Sequence, residues 1–140
     1  MNHPVLLDTG PLVAFLNRRD RYHEWTRTWF DKMKPPLLTC EPALAEACFV
    51  LKSCAGGNKA VLELLHRGIL AVPFKLEDQV AAITRLMAKY ANVPISLADA
   101  CLVRMNELQP ESSVMTLDSD FFIYRRFGRQ VIPLITPEKR

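Results

Sequence analysis

Asp8, Glu46, Asp99 and Asp118 are the residues whose types and settings could do chemistry. Asp8 closes the apolar run Val5-Leu6-Leu7 and is followed by Thr9-Gly10-Pro11, so it stands where a buried strand turns into a helix. Asp118 is placed likewise after Val114-Met115-Thr116-Leu117, with Asp120 two residues further on. Glu46 is the only polar residue in 43–51, and Asp99 is the only one in 97–103. A helix that is apolar all round is buried, and an unpaired carboxylate inside it is costly.

Each acid taken singly has a plainer reading. Asp8 is placed to cap the helix that follows it. Glu46 could pair with a nearby lysine or arginine. Ser96-x-x-Asp99 fits a capping box, although Ser96 can cap while Asp99 faces a pocket. Asp118 and Asp120 could belong to a solvated loop. Taken together they point elsewhere, because strand ends and the starts of the following helices share one edge of a parallel sheet. Carboxylates gathered there repel one another unless a cation lies between them. All-oxygen sites of this kind suit Mg²⁺ or Mn²⁺, which activate water for in-line attack on a phosphodiester. No serine or cysteine is placed beside a histidine as a nucleophile, and no glycine-rich phosphate loop is present. The pattern predicts that the four carboxylates converge with Asp8 near their centre.

The elements that must position these acids follow from the apolar periodicity. Strands are predicted at 5–7, 37–40, 69–73, 113–117 and 131–134, and helices at 11–16, 21–34, 41–53, 60–66, 76–90 and 96–108. Residues 54–58 break the third helix, 121–127 form a short helix or turn, and the polar tail 136–140 frays. Strands alternating with helices predict a single α/β domain over residues 1–140, with a mainly parallel twisted sheet flanked by helices.

The bulk properties agree with such a domain. With 49% hydrophobic and 24% charged residues, the chain of 140 residues reads as an ordinary globular protein with a sizeable core. No apolar run is long enough for a membrane span and 1–17 carry no leader signature, so a cytoplasmic protein without membrane contact is expected. The cysteines 40, 48, 54 and 101 lack metal or disulfide spacing, and Cys48 and Cys101 read as small core hydrophobes. His23 reads as a surface residue. The net charge of +3 is mild, but arginines cluster at 18, 19, 21 and 27 and again at 125, 126 and 129. With several carboxylates gathered in one pocket, the remaining surface is more basic than the net charge suggests, which suits a polyanion.

The motifs VLLDTGPLVAFL, EPALAEACFVL, YANVPISLADACLV and VMTLDSDFF with the following YRRFG resemble those of PIN-domain nucleases, in order and spacing, over essentially the whole chain. At this length the chain is most similar to bacterial VapC-type toxins, which are Mg²⁺-dependent endoribonucleases. The resemblance implies that Asp8, Glu46, Asp99 and Asp118 are catalytic metal-binding acids, that Asp120 is an accessory acid, and that Thr9 and Thr116 line the site. It also implies an RNA substrate, a homodimer and an antitoxin partner, with Mn²⁺ able to replace Mg²⁺. Arg18, Arg19, Arg125 and Arg126 are the expected contacts to the RNA backbone. The alternatives are a non-toxin RNA-processing nuclease and a PIN scaffold that binds RNA or protein without cutting. A signalling receiver domain also has an acidic Mg²⁺ pocket, but it needs an acid beside Asp8 and a lysine near the last strands. Asp8 has no acidic neighbour, and no lysine lies between Lys89 and Lys139.

Overall fold

The structure is a computed structural model that describes residues 3–54 and 56–138. Its elements run β1 (Val5–Leu7), α1 (Thr9–Leu16), α2 (His23–Lys32), β2 (Leu37–Leu38), α3 (Glu41–Leu51), α4 (Gly57–His66), β3 (Leu70–Ala71), α5 (Val80–Lys89), α6 (Leu97–Leu108), β4 (Ser113–Met115), β5 (Arg125–Arg126), β6 (Gln130–Val131) and β7 (Leu134–Ile135). The main sheet has the order β3-β2-β1-β4-β7, and every pairing in it is parallel.

β1 is the central strand, which is why its three residues are all buried. Leu6 packs with Ile83, Leu86, Leu102 and Val114 in the core beneath α5 and α6. Val5 and Leu7 point the other way, into the core made with Leu12, Val13, Leu44, Val61 and Leu64 of α1, α3 and α4. The alternation is the period of a strand covered on both faces. From β1 the chain winds outward through β2 and β3, then returns to place β4 and β7 on the opposite side. The sheet therefore reverses its winding between β1 and β4, and parallel sheets bind ligands beyond the strand ends at such a point. Asp8 and Asp118 follow those two strands.

Several expectations need correction. The segment 121–127 is not one short helix or turn. A 3-10 turn at Ser119–Phe122 leads into β5, which pairs antiparallel with β6 through Phe127 (φ 51°) and Gly128 (φ 83°). The apolar run 131–134 is not one strand either. Val131 belongs to that hairpin and Leu134 to the main sheet, and Ile132-Pro133 separates them. Pro133 has no N–H to give a ladder, but its carbonyl accepts from the Val114 N–H at 2.9 Å, so it leads the chain into β7. The remaining helices differ only at their ends. α4 starts at Gly57, where a Cβ would strike the Leu51 carbonyl, and a 3-10 turn at Leu76–Gln79 precedes α5.

The third correction concerns α3, which is not buried all round. It turns Ala43, Leu44, Ala47 and Leu51 to the core, while Phe49 and Val50 are 67% and 53% exposed and Glu46 faces outward with them. A helix lying on one face of a sheet has only one side to bury, so the desolvation expected at Glu46 does not arise. At the end of the chain, Glu138 accepts a hydrogen bond from Tyr22 at 2.7 Å, so the described part of the tail is tied down, and residues 139–140 lie outside the described residues. No helix among the described residues is long and apolar enough to cross a membrane.

Candidate active site

Asp8, Glu46, Asp99, Asp118 and Asp120 line one cavity of about 450 Å³ beyond the ends of β1 and β4, together with Thr9, Gly10, Pro94, Ser96 and Leu117. Asp8 is the most deeply set of the acids, at 6% exposure. Its backbone N–H still bonds to Met115 in the sheet, and its side chain caps α1, with Oδ1 accepting from the Thr9 N–H at 2.8 Å. The other carboxylate oxygen, Oδ2, accepts from the Thr116 hydroxyl at 2.7 Å. That hydroxyl in turn accepts from the Asp118 N–H at 2.9 Å, so one threonine ties together the two strand-end acids. Capping and site lining are thus compatible roles of Asp8. Gly10 permits the close approach of α1 to this loop, since a Cβ there would stand 3.3 Å from Leu117.

Asp99 is held from both sides. Its N–H donates to Ser96 Oγ at 3.0 Å, which is the expected cap, and its Oδ2 accepts from the Tyr124 hydroxyl at 3.0 Å. Tyr124 is fully buried and packed edge-on against Tyr90 and Phe121. No role for it is legible in the sequence beyond its place in the YRRFG stretch, because a tyrosine there looks like any core aromatic. Glu46 Oε1 accepts from the Thr9 hydroxyl at 3.2 Å, and Asp118 Oδ1 accepts from the Asp120 N–H at 2.9 Å.

Among the described residues no cation neutralises this set. The ion pair found among the described residues is Arg104–Glu107, away from the cavity, so the alternative pairing of Glu46 with a lysine or arginine does not occur. Burial pushes the Asp8 carboxyl up to about 6; its bonds from Thr116 and Thr9 pull it down, and repulsion by Asp118 and Glu46 adds to the rise. Burial also pushes Asp99 up to about 7, helped by repulsion from Asp8, then opposed by Tyr124, with Asp118 and Glu46 adding more. Tyr124 is itself pushed well above the usual phenol range by burial and by Asp99. The cavity thus has a surplus of negative charge that its own fold does not offset.

The donor chemistry suits a hard divalent cation. Among the described residues no three His, Cys, Asp or Glu side chains already stand so as to enclose an ion. Mg²⁺ does not require such a cage, since it keeps several waters and commonly binds through one or two carboxylates. An open cavity of this size leaves room for those waters.

The arginines are distributed differently. Arg18 and Arg19 are exposed beyond the far end of α1, outside the acid cavity. Arg125 Nη1 donates to the carbonyls of Phe122, Ile123 and Tyr124 at 2.8–3.2 Å. Arg126 Nη1 donates to Asn106 Oδ1 and to the Pro110 carbonyl. Arg126 thereby holds β5 to the end of α6, while Arg125 closes the turn before it; neither has the open placing expected of phosphate contacts. His23, expected at the surface, is half-buried, with Nδ1 2.7 Å from the Ala14 carbonyl.

The family model of the PIN domain matches residues 5–126. The chain belongs to the PIN domain family. That match takes in all four main acids of the cavity. Among solved structures, this PIN domain is similar to Mycobacterium tuberculosis VapC20, described as a sarcin-ricin loop cleaving toxin. The likeness has a TM-score of 0.70 at 17% sequence identity and covers 83% of this chain and 91% of VapC20. At that identity it is a likeness of fold. No curated protein matches the chain in sequence.

Proposed function

We propose that this PIN domain is an endoribonuclease dependent on Mg²⁺ or Mn²⁺. The observation that carries the reading is the un-neutralised set of Asp8, Glu46, Asp99 and Asp118 on one cavity at the switch point of the sheet. In this reading Asp8 and Asp99 are the inner ligands and Glu46 and Asp118 complete the set, with Asp120 accessory. When bound, the cation supplies an activated water and charge stabilisation on the phosphodiester. The chain's own part is to hold the ligands. Thr116 and Thr9 fix the orientation of Asp8, while Ser96 and Tyr124 fix that of Asp99. The fold likeness to VapC20 supports a toxin paired with an antitoxin, and the family resemblance supports a homodimer.

The test is cleavage of end-labelled RNA with Mg²⁺ or Mn²⁺ present, alongside calorimetric titration with Mn²⁺. Cleavage is expected to vanish in excess EDTA and in Asp8→Asn and Asp99→Asn, with Mn²⁺ binding weakened in both variants. Full activity in EDTA would sink the metal reading. Mn²⁺ binding without cleavage of any RNA would sink the nuclease reading. Growth arrest on expression, relieved by a co-expressed neighbouring gene, tests the toxin assignment separately.

A further inference from the structure

A second cavity, of about 560 Å³, opens at the other end of α1 and is lined by Phe15, Leu16, Arg18, His23, Arg27 and Asp31. α2 forms much of its wall, and its His23, Arg27 and Asp31 recur at four-residue spacing along one helix face. Thr26 is the only residue of α2 that is fully buried. Its aromatic residues Trp25, Trp29 and Phe30 are half-buried, and Phe30 stacks on Phe15 with ring centroids 4.0 Å apart.

The charges in this cleft are free to act outward. Among the described residues neither the Arg18 nor the Arg27 guanidinium has a hydrogen-bond or ion-pair partner, and Asp31 lies beyond 4.0 Å of both. His23 donates from Nδ1 to the Ala14 carbonyl, because a carbonyl can only accept, so Nε2 is the ring nitrogen left for a ligand. Two guanidiniums against one carboxylate leave the cleft positive, above a floor of Phe15 and Leu16. Guanidiniums beside an aromatic face are the usual means of holding a single strand, with phosphate on the former and base on the latter. α1 itself measures the separation. Thr9 lines the acid cavity and Leu16 lines this one, and seven residues of helix rise about 10 Å, which a few nucleotides can span.

We infer that the α1–α2 cleft is a second subsite for single-stranded RNA, in which Arg18 and Arg27 hold a backbone phosphate and Phe15 takes an adjacent base. The inference rests on the ribonuclease reading for the identity of the strand, which reaches from this anchor to the acid cavity. Arg27 and His23 thereby join Arg18 among the proposed substrate-binding residues.

The experiment measures binding of a labelled single-stranded oligoribonucleotide of mixed sequence by fluorescence anisotropy in EDTA, where the acid cavity repels phosphate and nothing is cut. Both arginines are exposed, so Arg18→Ala/Arg27→Ala leaves the fold intact, and Arg85→Ala serves as a control for general charge loss. The double variant is expected to bind about tenfold more weakly, with the slope of log affinity against log salt smaller by about 1 per arginine. The ring signals of His23 should shift on titration with the oligonucleotide. In Mg²⁺ the double variant should raise KM for the long substrate. Undiminished affinity and salt slope in the double variant would overturn the subsite, whatever the cleavage data show. Equal competition by polyglutamate would overturn it too, in favour of an acidic protein segment. Loss of binding in the double variant of a protein that cleaves no RNA would keep the subsite and remove the ribonuclease reading.

Discussion

α6 carries two buried polar side chains, Asp99 and Asn106, seven residues apart and so on nearly the same face of the helix. Their surroundings treat them in opposite ways. Asn106 is neutral and engaged at both ends of its amide, with Nδ2 donating to the Ser112 carbonyl and Oγ at 3.0 and 2.8 Å and Oδ1 accepting from Arg126 at 3.1 Å. It ties the end of α6 to the start of β4 and to the β5–β6 hairpin. Asp99 is charged when ionised, accepts a bond from Tyr124, donates its N–H to the Ser96 cap, and faces Asp8, Asp118 and Glu46 with no cation among the described residues. The first cluster spends its polarity inside the protein. The second keeps a surplus that only something from outside can offset. Burial alone does not mark a functional polar residue; an unbalanced charge among buried partners does.

The contrast is broken most sharply by exchanging what each cluster loses. Asp99→Asn keeps an oxygen to accept from Tyr124 and removes a repelling charge. RNA cleavage should fall by at least about a hundredfold, beyond the loss usual for residues that only orient ligands, while thermal stability in EDTA stays level or rises. A marked loss of stability would place Asp99 with the structural cluster.

The pH dependence of stability follows with a definite sign. The folded-state values of about 6 for Asp8 and about 7 for Asp99 lie above the ordinary 3.8 of an unfolded aspartate. The folded state therefore binds more protons, and this contribution is full below about pH 4 and is lost as pH rises through 6 and 7. In EDTA the melting temperature should drop by several degrees between pH 5 and pH 8, and Mn²⁺ at pH 8 should restore it. Asp99→Asn should flatten the curve. A flat profile in the unaltered protein would remove the argument from repulsion.

Asn106→Ala is the converse. It leaves the Ser112 carbonyl without its amide donor, and should cost about 2 kcal/mol in chemical denaturation with kcat unchanged at a temperature where the variant is folded. A drop in kcat would mean that the two ends of α6 are coupled. Tyr124→Phe sharpens the boundary between the clusters. It should cost about 1 kcal/mol and, by removing a bond that favours ionised Asp99, move the acid limb of the pH–rate profile upward. Ser96→Ala, which removes only the cap, should cost about 1 kcal/mol without moving that limb.

Much of this is legible in local sequence because strands, caps and lone acids are local features. Val5-Leu6-Leu7 before Asp8 marks a two-sided buried strand, and Ser96-x-x-Asp99 marks a helix start. Acids at two strand ends and on two otherwise apolar helices suffice to predict one cavity, since parallel topology brings strand ends and helix starts to one edge. The argument for Glu46 reached its place by a wrong step. Its helix is apolar in composition, yet Phe49 and Val50 are exposed, because a sequence cannot tell an apolar face that is covered from one that is not.

The sequence by itself determined the elements before the C-terminal hairpin, their alternation and the acids, all set by contacts within a few residues. Tertiary structure alone decided which charges are spent and which remain free. The arginine pairs 18/19 and 125/126 are indistinguishable as text, but long-range contacts commit Arg126 to Asn106 and the Pro110 carbonyl and leave Arg18 beside Arg27 in an open cleft. Tyr124 likewise reaches Asp99 only because the chain returns past β4, 25 residues later. Whether a polar group finds a partner depends on what the fold brings within hydrogen-bonding distance.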